Sequence, residues 1–344
     1  MANKLSEQKC PACGAPLRFD PESGKSVCDW CGRSYDIPTE TDETLAEGGE
    51  APLEELSVYN CKSCGAEIVT DAVSASVQCP YCGNNIVLTE KVTGGLRPDG
   101  IIPFKIDKKS LPGAVREFYK DRKLLPKKFF ADSSIEDVVG VYVPFWLYNC
   151  TMQGPVYYDA HVDVAVREGD YVTTTRSDYD VRRDVSIRFE NLPVDGSARL
   201  DDALMDSLEP FDVKDIVPFQ MSYLSGFCAE RFDRDSEEVR VRAEERMMSS
   251  ALSVADSQVT GFTGFTHREN GLRADPMEAK YLLLPVYTFN VNWQGTKYTF
   301  AMNGQTGKVV GEVPTDKGRT ALRRWGTFAA VFAVIMLLLW LVSC

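Results

Sequence analysis

The chain has 344 residues, room for two or three domains, and 44% of them are hydrophobic and 26% charged, a balance that excludes wholesale disorder. Its net charge of −12 gives it no global attraction to phosphate backbones or anionic lipid, so either contact would need a local basic patch. The eleven cysteines follow an opening, MANKLSEQKC, that has no apolar leader core, so clustered reduced thiols point to metal and not to a secreted disulfide framework.

In chain order, residues 10–35 and 61–86 are a repeat. A shift of 51 positions superimposes Cys10, Cys13, Cys28 and Cys31 on Cys61, Cys64, Cys79 and Cys82. The four pairs read CPACG, CDWCG, CKSCG and CPYCG, and 14 residues separate the pairs in each half. A two-residue gap lets a tight turn aim both sulfurs at one ion, and two such turns complete a tetrahedron with Zn–S bonds of about 2.3 Å. The glycine after each second cysteine suits a turn position of positive φ. A redox C-x-x-C would need one pair in a βαβ context, not two matched sets; four thiolates also suit iron. Trp30 and Tyr81 are expected in the small core of each ribbon. Between the ribbons, residues 36–56 hold eight acidic residues and no Lys or Arg, the composition of a self-repelling linker.

From about Leu96 to Pro314, runs rich in Val, Tyr, Phe and Thr alternate with turn residues. Segments 141–166 and 281–303 match at an offset of 141, where Pro144, Asn149, Gln153, Gly154 and Tyr157 fall on Pro285, Asn290, Gln294, Gly295 and Tyr298. This predicts a duplicated β-hairpin with each turn at a Gln-Gly pair, and NGQTGKVV (303–310) adds one more turn and strand. Two helices are expected: Ser110–Lys123, with a serine cap, and Ser236 to about Ala255, with Ser236 at the cap and a Val239, Ala243, Met247, Ala251 stripe facing the core. Asp201-Asp202 and Asp233-Arg234-Asp235 read as solvated turns.

Trp325–Val342 is an uncharged apolar run, about 27 Å long as a helix, with Lys317, Arg319, Arg323 and Arg324 before it. It predicts a transmembrane helix and a tail-anchored, single-pass protein at the cell membrane with a cytoplasmic N-terminus. The expected fold class is α+β. Its parts are zinc ribbon 1 (1–36), an acidic linker (37–57), zinc ribbon 2 (58–93), a mostly antiparallel β-rich domain (96–314), a basic juxtamembrane segment (315–324) and the transmembrane helix (325–342).

Beyond the ribbons the sequence offers little chemistry. His161 and His267 are the only histidines and read as structural; Cys150 and Cys228 lie in apolar runs and read as packing residues. No H-E-x-x-H, G-x-S-x-G or phosphate-loop motif occurs, so no enzyme is expected. The ribbons, GVYVPFWLYNC (140–150), DIVPFQMSYLSGFCAERFD (215–233) and LLLPVYTFNVNWQGTKYTFAMNGQTGKVVGEVP (282–314) together resemble a bacterial family of membrane-anchored, TFIIB-type zinc-ribbon proteins over essentially the whole chain. The resemblance implies two structural zinc ions, at Cys10, Cys13, Cys28 and Cys31 and at Cys61, Cys64, Cys79 and Cys82. It also implies partners among PspA-like and SPFH-domain proteins of envelope-stress systems. The functional expectation is a membrane-tethered adaptor that docks cytoplasmic proteins. The alternative is a nucleic-acid-binding ribbon protein, and charge argues against it: residues 1–35 carry five Lys or Arg against four acids, and 58–93 carry two against three, with no basic stripe.

Overall fold

A computed structural model describes residues 10–37, 56–60, 67–71, 74–78, 85–87, 97–120, 122, 126, 129, 134–198, 201–314, 324–328, 331–332 and 335–336. The N-terminal strands are β1 (Arg18–Asp20), β2 (Lys25–Val27) and β3 (Ser34–Tyr35), then β4 (Leu56–Asn60), β5 (Glu67–Asp71), β6 (Ser74–Gln78) and β7 (Asn85–Val87). The main body holds β8 (Gly100–Ile101), α1 (Leu111–Lys120), β9 (Ser134–Glu168), β10 (Tyr171–Asp195), α2 (Asp202–Ser207), β11 (Cys228–Glu230) and α3 (Ser236–Ser257). It closes with β12 (Gly264–Asn270), β13 (Arg273–Ala274), β14 (Glu278–Trp293), β15 (Thr296–Asn303) and β16 (Val309–Gly311).

An 11-stranded sheet runs β16-β15-β14-β9-β11-β6-β7, with β10, β12 and β13 also on β9 and β8 on β14. β9 is its spine. One edge pairs with β14 through Ser134–Asn149, then with β13 and β12; the other pairs with β11 and then with β10 out to Glu168. A flat strand of 35 residues would run about 110 Å, so the sheet curls, aided by register shifts at Phe189/Leu192, His267/Glu269 and Thr288/Asn290.

The unbroken apolar run in β9 follows from burial on both faces. Val143, Phe145 and Leu147 enter one core with Met205, Leu208, Leu282 and Leu284. Tyr142, Trp146 and Tyr148 enter the other, with Ala243, Met247 and Ala251 of α3. A strand covered on both sides has no solvent face to carry polar residues, which removes the usual alternation.

Several expectations need correction. The fold is β-rich with few helices, not α+β with a membrane span. No helix among the described residues is long and apolar enough to cross a membrane. The reading of 325–342 as a transmembrane helix is therefore overturned, and with it the tail anchor, the bilayer contact and the single-pass localisation. Apolarity sets what a segment costs to solvate, but a span also needs a continuous helix of about 20 residues; here 324–328, 331–332 and 335–336 are helical and exposed, and the rest of the run lies outside the described residues. Residues 38–55 of the expected linker (37–57) and 315–323 of the expected juxtamembrane segment (315–324) lie outside them too.

The helix caps also moved. Asp107 caps a 3-10 turn before α1, and Asp235 with Glu238 forms a capping box on α3, so the acid one residue earlier displaces Ser236. Asp201 caps α2, while Asp202 pairs with Arg234 at 3.0 Å and Arg242 at 3.1 Å; neither is part of a solvated turn.

The turn at Gln294-Gly295 exists, with φ of 50° and 78°. Its counterpart at Gln153-Gly154 does not: β9 runs on through it and turns at Gly169. Gly154 adopts φ +148°, and a Cβ there would lie 2.2 Å from the Gly271 oxygen, so the glycine serves a close approach of two chains within the sheet. The two matched segments face each other across the β9–β14 ladder. Val143 lies opposite Leu284, its own counterpart, with Tyr142 opposite Pro285 and Pro144 opposite Leu283, an arrangement about a local twofold axis.

Asp195, at the end of β10, is 0% exposed. Its Oδ1 accepts from the Ser197 amide at 2.9 Å, while Oδ2 has no partner. Arg234 and Arg242 are nearby but engaged by Asp202. Burial pushes the Asp195 carboxyl up to about 7, against the lowering effect of the Ser197 N–H. A raised carboxylate pKa stabilises the fold least at high pH, since the unfolded chain releases this proton near pH 4 and the folded chain only near 7. Between pH 5 and 8 the native protein should lose about 3 kcal/mol that Asp195→Asn does not; chemical denaturation at both pH values measures the difference.

Candidate metal centre

Residues 10–37 carry the cysteines on two knuckles of the same backbone design. In the first, the Gly14 N–H donates to the Cys10 oxygen at 2.8 Å and the Cys10 N–H to the Ala15 oxygen at 2.7 Å. In the second, Gly32 donates to Cys28 and Cys28 to Arg33, both at 2.9 Å. Gly14 and Gly32 sit at φ +73° and +71°, a conformation glycine reaches at no steric cost. β1 and β2 bring the knuckles together, and β3 follows the second.

The result is a cluster in which the Sγ atoms of Cys10, Cys13, Cys28 and Cys31 all lie within 4.8 Å of one another. Cys10–Cys31 is 3.6 Å and Cys13–Cys28 is 3.5 Å, and all four thiols are free. Four sulfurs about 2.3 Å from a central ion would be about 3.8 Å apart, so the cluster has the size and donor set to hold a metal. Cys10 and Cys28 are buried, while Cys13 and Cys31 are exposed.

Tyr35 completes the surroundings: its hydroxyl lies 3.3 Å from Cys10 Sγ. That hydrogen bond is the chief reason the Cys10 thiol drops to about 6. The Ala15 amide lowers Cys13, but burial and the neighbouring thiols outweigh it and push that group up to about 12. Cys10 and Cys13 thus differ in how readily each gives up its proton, and a metal must displace protons to bind. Around them, Arg18 pairs with Asp29 at 3.3 Å and Lys25 with Asp36 at 2.8 Å. Trp30, expected inside the ribbon, is 86% exposed at the tip of the second knuckle.

The knuckles do not stand apart from the main body. Phe19 of β1 is 1% exposed, its ring 5.3 Å from that of Tyr223 and 6.4 Å from that of Phe227, which stacks on Phe104 at 4.1 Å. The Phe19 N–H donates to the Ser225 oxygen at 2.8 Å. Neither Tyr35 nor Phe19 stood out in the sequence, where each is one aromatic beside a strand. Emptying this socket with Phe19→Ala should cost about 3–5 kcal/mol, seen as lost hydrogen-exchange protection at the amides of 18–27.

Cys61, Cys64, Cys79 and Cys82 lie outside the described residues. Among the described residues of that region, β4 pairs with β5, and β6 with β7 and with β11 of the main sheet. His161 and His267 are not brought to one site: His161 lies 3.8 Å from Asp163, and His267 is 2.9 Å from Asp256, which also accepts from Tyr158 at 3.0 Å. Cys150 is buried, its thiol pushed up by burial.

A four-thiol centre plugged into a long curled β-sheet is what the geometry defines. No family model and no solved structure matches the chain. It is 33% identical over 336 residues to the uncharacterized protein YdjG of Bacillus subtilis (strain 168), covering 96% of this chain and 97% of that one. The chain belongs to the YdjG family.

Cys28→Ser should remove one equivalent of bound metal from the full chain. Tyr35→Phe should keep the metal and weaken its binding about 10-fold or more, which competition with a chromophoric chelator reads directly.

Proposed function

We propose that the chain is a zinc-ribbon adaptor: a protein whose metal sites are structural and whose ribbons dock other proteins. The observation that carries the reading is the pairing of a closed four-thiol set with an almost fully exposed tryptophan on its second knuckle. With four thiolates bound, an ion has no open position for substrate or water, so it holds the knuckles and does not react. The proposed ions are two Zn2+, one at Cys10, Cys13, Cys28 and Cys31, the other at Cys61, Cys64, Cys79 and Cys82 on their matched spacing. Trp30 is the kind of side chain that dominates docking energy when a partner covers it. The resemblance names PspA-like and SPFH-domain proteins as first candidates.

Elemental analysis of the full chain should give two zinc per chain; iron instead would replace the assignment. Crosslinked affinity purification with mass spectrometry then compares the native chain with Trp30→Ala and with a Cys61→Ser, Cys64→Ser variant. Partners lost from Trp30→Ala at unchanged zinc content support docking through the first ribbon, and partners lost only from the cysteine variant assign it to the second. Every partner retained in both variants sinks the adaptor reading, and recovery of polymerase or ribosomes through a salt-sensitive contact replaces it with nucleic-acid binding.

A further inference from the structure

Beyond the base that α3 covers, β9 and β10 continue as a two-stranded arm that turns at Gly169. Every residue from Tyr171 to Asp180 is exposed, and Val164, Val166, Tyr171 and Val172 are each more than half exposed. An isolated two-stranded ribbon is marginal in water, and this one carries an apolar surface for which the described residues supply no cover.

Among the described residues the outer edge of β10 is open along the same stretch: β10 pairs with β9 alone, and no backbone–backbone hydrogen bond leaves 171–189 on the other side. Edges that must stay single are blunted by charge, above all lysine, by proline or by bulges. Residues 171–189, YVTTTRSDYDVRRDVSIRF, contain no lysine and no proline, and their four Arg and three Asp are of both signs, so they can pair across an edge and need not repel a partner. The nearest register shift lies at Phe189/Leu192. The composition, rich in Thr, Val and Tyr, favours further pairing.

We propose that this edge pairs antiparallel with the same edge of a second copy, about a twofold axis at Ser177. The charge pattern selects both the occupant and the register. In an isologous antiparallel pair the axis passes through a residue position, because any other register sets outward-facing groups of one strand against inward-facing groups of the other. Axes at 176, 178, 180, 182, 183 or 184 set a charged residue against its own copy. An axis at 179 sets Asp178 against Asp180, one at 181 sets Asp178 against Asp184, and one at 185 sets Arg182 against Arg188. Centred on Ser177, residues 171–183 pair with no like charges opposite. Arg176 meets Asp178 of the copy twice over, Thr175 meets Tyr179, Thr173 meets Val181 and Tyr171 meets Arg183, each a favourable cross-strand combination. Arg176 already lies 3.2 Å from Asp163 and 4.0 Å from Asp178 of its own chain, so it is held on the face where the copy's Asp178 arrives. Axes at Thr173, Thr174, Thr175 and Ser186 also avoid like charges, but the first three pair at most 171–179 and the last only 182–190 before the register shift. Ser177 therefore gives the longest pairing, with an Arg–Asp pair on each side of the axis.

The test uses sedimentation equilibrium on the full chain and two variants, Arg176→Asp and Asp178→Arg. The native chain should be a dimer at micromolar concentrations. Each variant alone sets like charges opposite each other at both equivalent positions and should sediment as a monomer. Mixing the two restores both Asp–Arg pairs and should return the dimer mass. Recovery on mixing shows that the variants fold, so their dissociation is not a loss of structure. A native chain monomeric throughout the range overturns the proposal, as do variants that associate like the native chain. A mixture that stays monomeric overturns it too.

Discussion

Burial of residues 141–148 on both faces of the sheet constrains the rest of the molecule. Such a strand must be roofed twice: α3 supplies the roof on the Tyr142, Trp146 and Tyr148 side, and Met205 of α2 with Leu208 supplies it on the Val143, Phe145 and Leu147 side. Both roofs are tied to one another by arginines that α3 sends across. Arg242 and Arg246 reach Asp202, Asp206 and Glu209, and Arg246 also donates to the Pro193 oxygen at 2.6 Å. These pairs are partly shielded from water, so removing one partner would leave a costly charge. Asp195 sits where the two roofs meet, which is why a carboxyl there is driven out of water.

The cysteine knuckles join the same core through an aromatic plug. Phe19 places the hairpin that carries the cysteines against Tyr223 and Phe227, one aromatic step from Tyr142 and Tyr287 through Phe104. A module this small cannot bury enough surface to fold alone; here it borrows the core of the main body.

The gathering of Cys10, Cys13, Cys28 and Cys31 was legible in the sequence because two residues between thiols and a glycine after each pair leave few alternative local geometries. The strand content and α3 were legible for a similar reason, since β-branched runs and a helical apolar stripe have one cheap solution each. What failed was decided by distant contacts. Gln153-Gly154 has the composition of a turn, yet its glycine is spent on the approach of Gly271. Ser236 has the composition of a cap, yet Asp235 is the stronger acceptor one residue away. Trp30 has the composition of a core residue, yet the knuckle turns it outward. The apolar run after Trp325 promised a span that no described helix makes.

The local twofold axis between Val143 and Leu284 divides the sheet into two halves of one plan. In the second half the hairpin closes with the two residues Gln294 and Gly295. In the first, the positions that match them open into 153–186, returning only at Ile187 opposite Met152. The arm thus stands where the matching half closes its hairpin, and α3 roofs its base through Val156, Tyr158, Val181 and Val185. The paired half-strands hold the common plan through buried residues, while the tip of the arm, exposed on every residue from Tyr171 to Asp180, is free of the core's packing constraints.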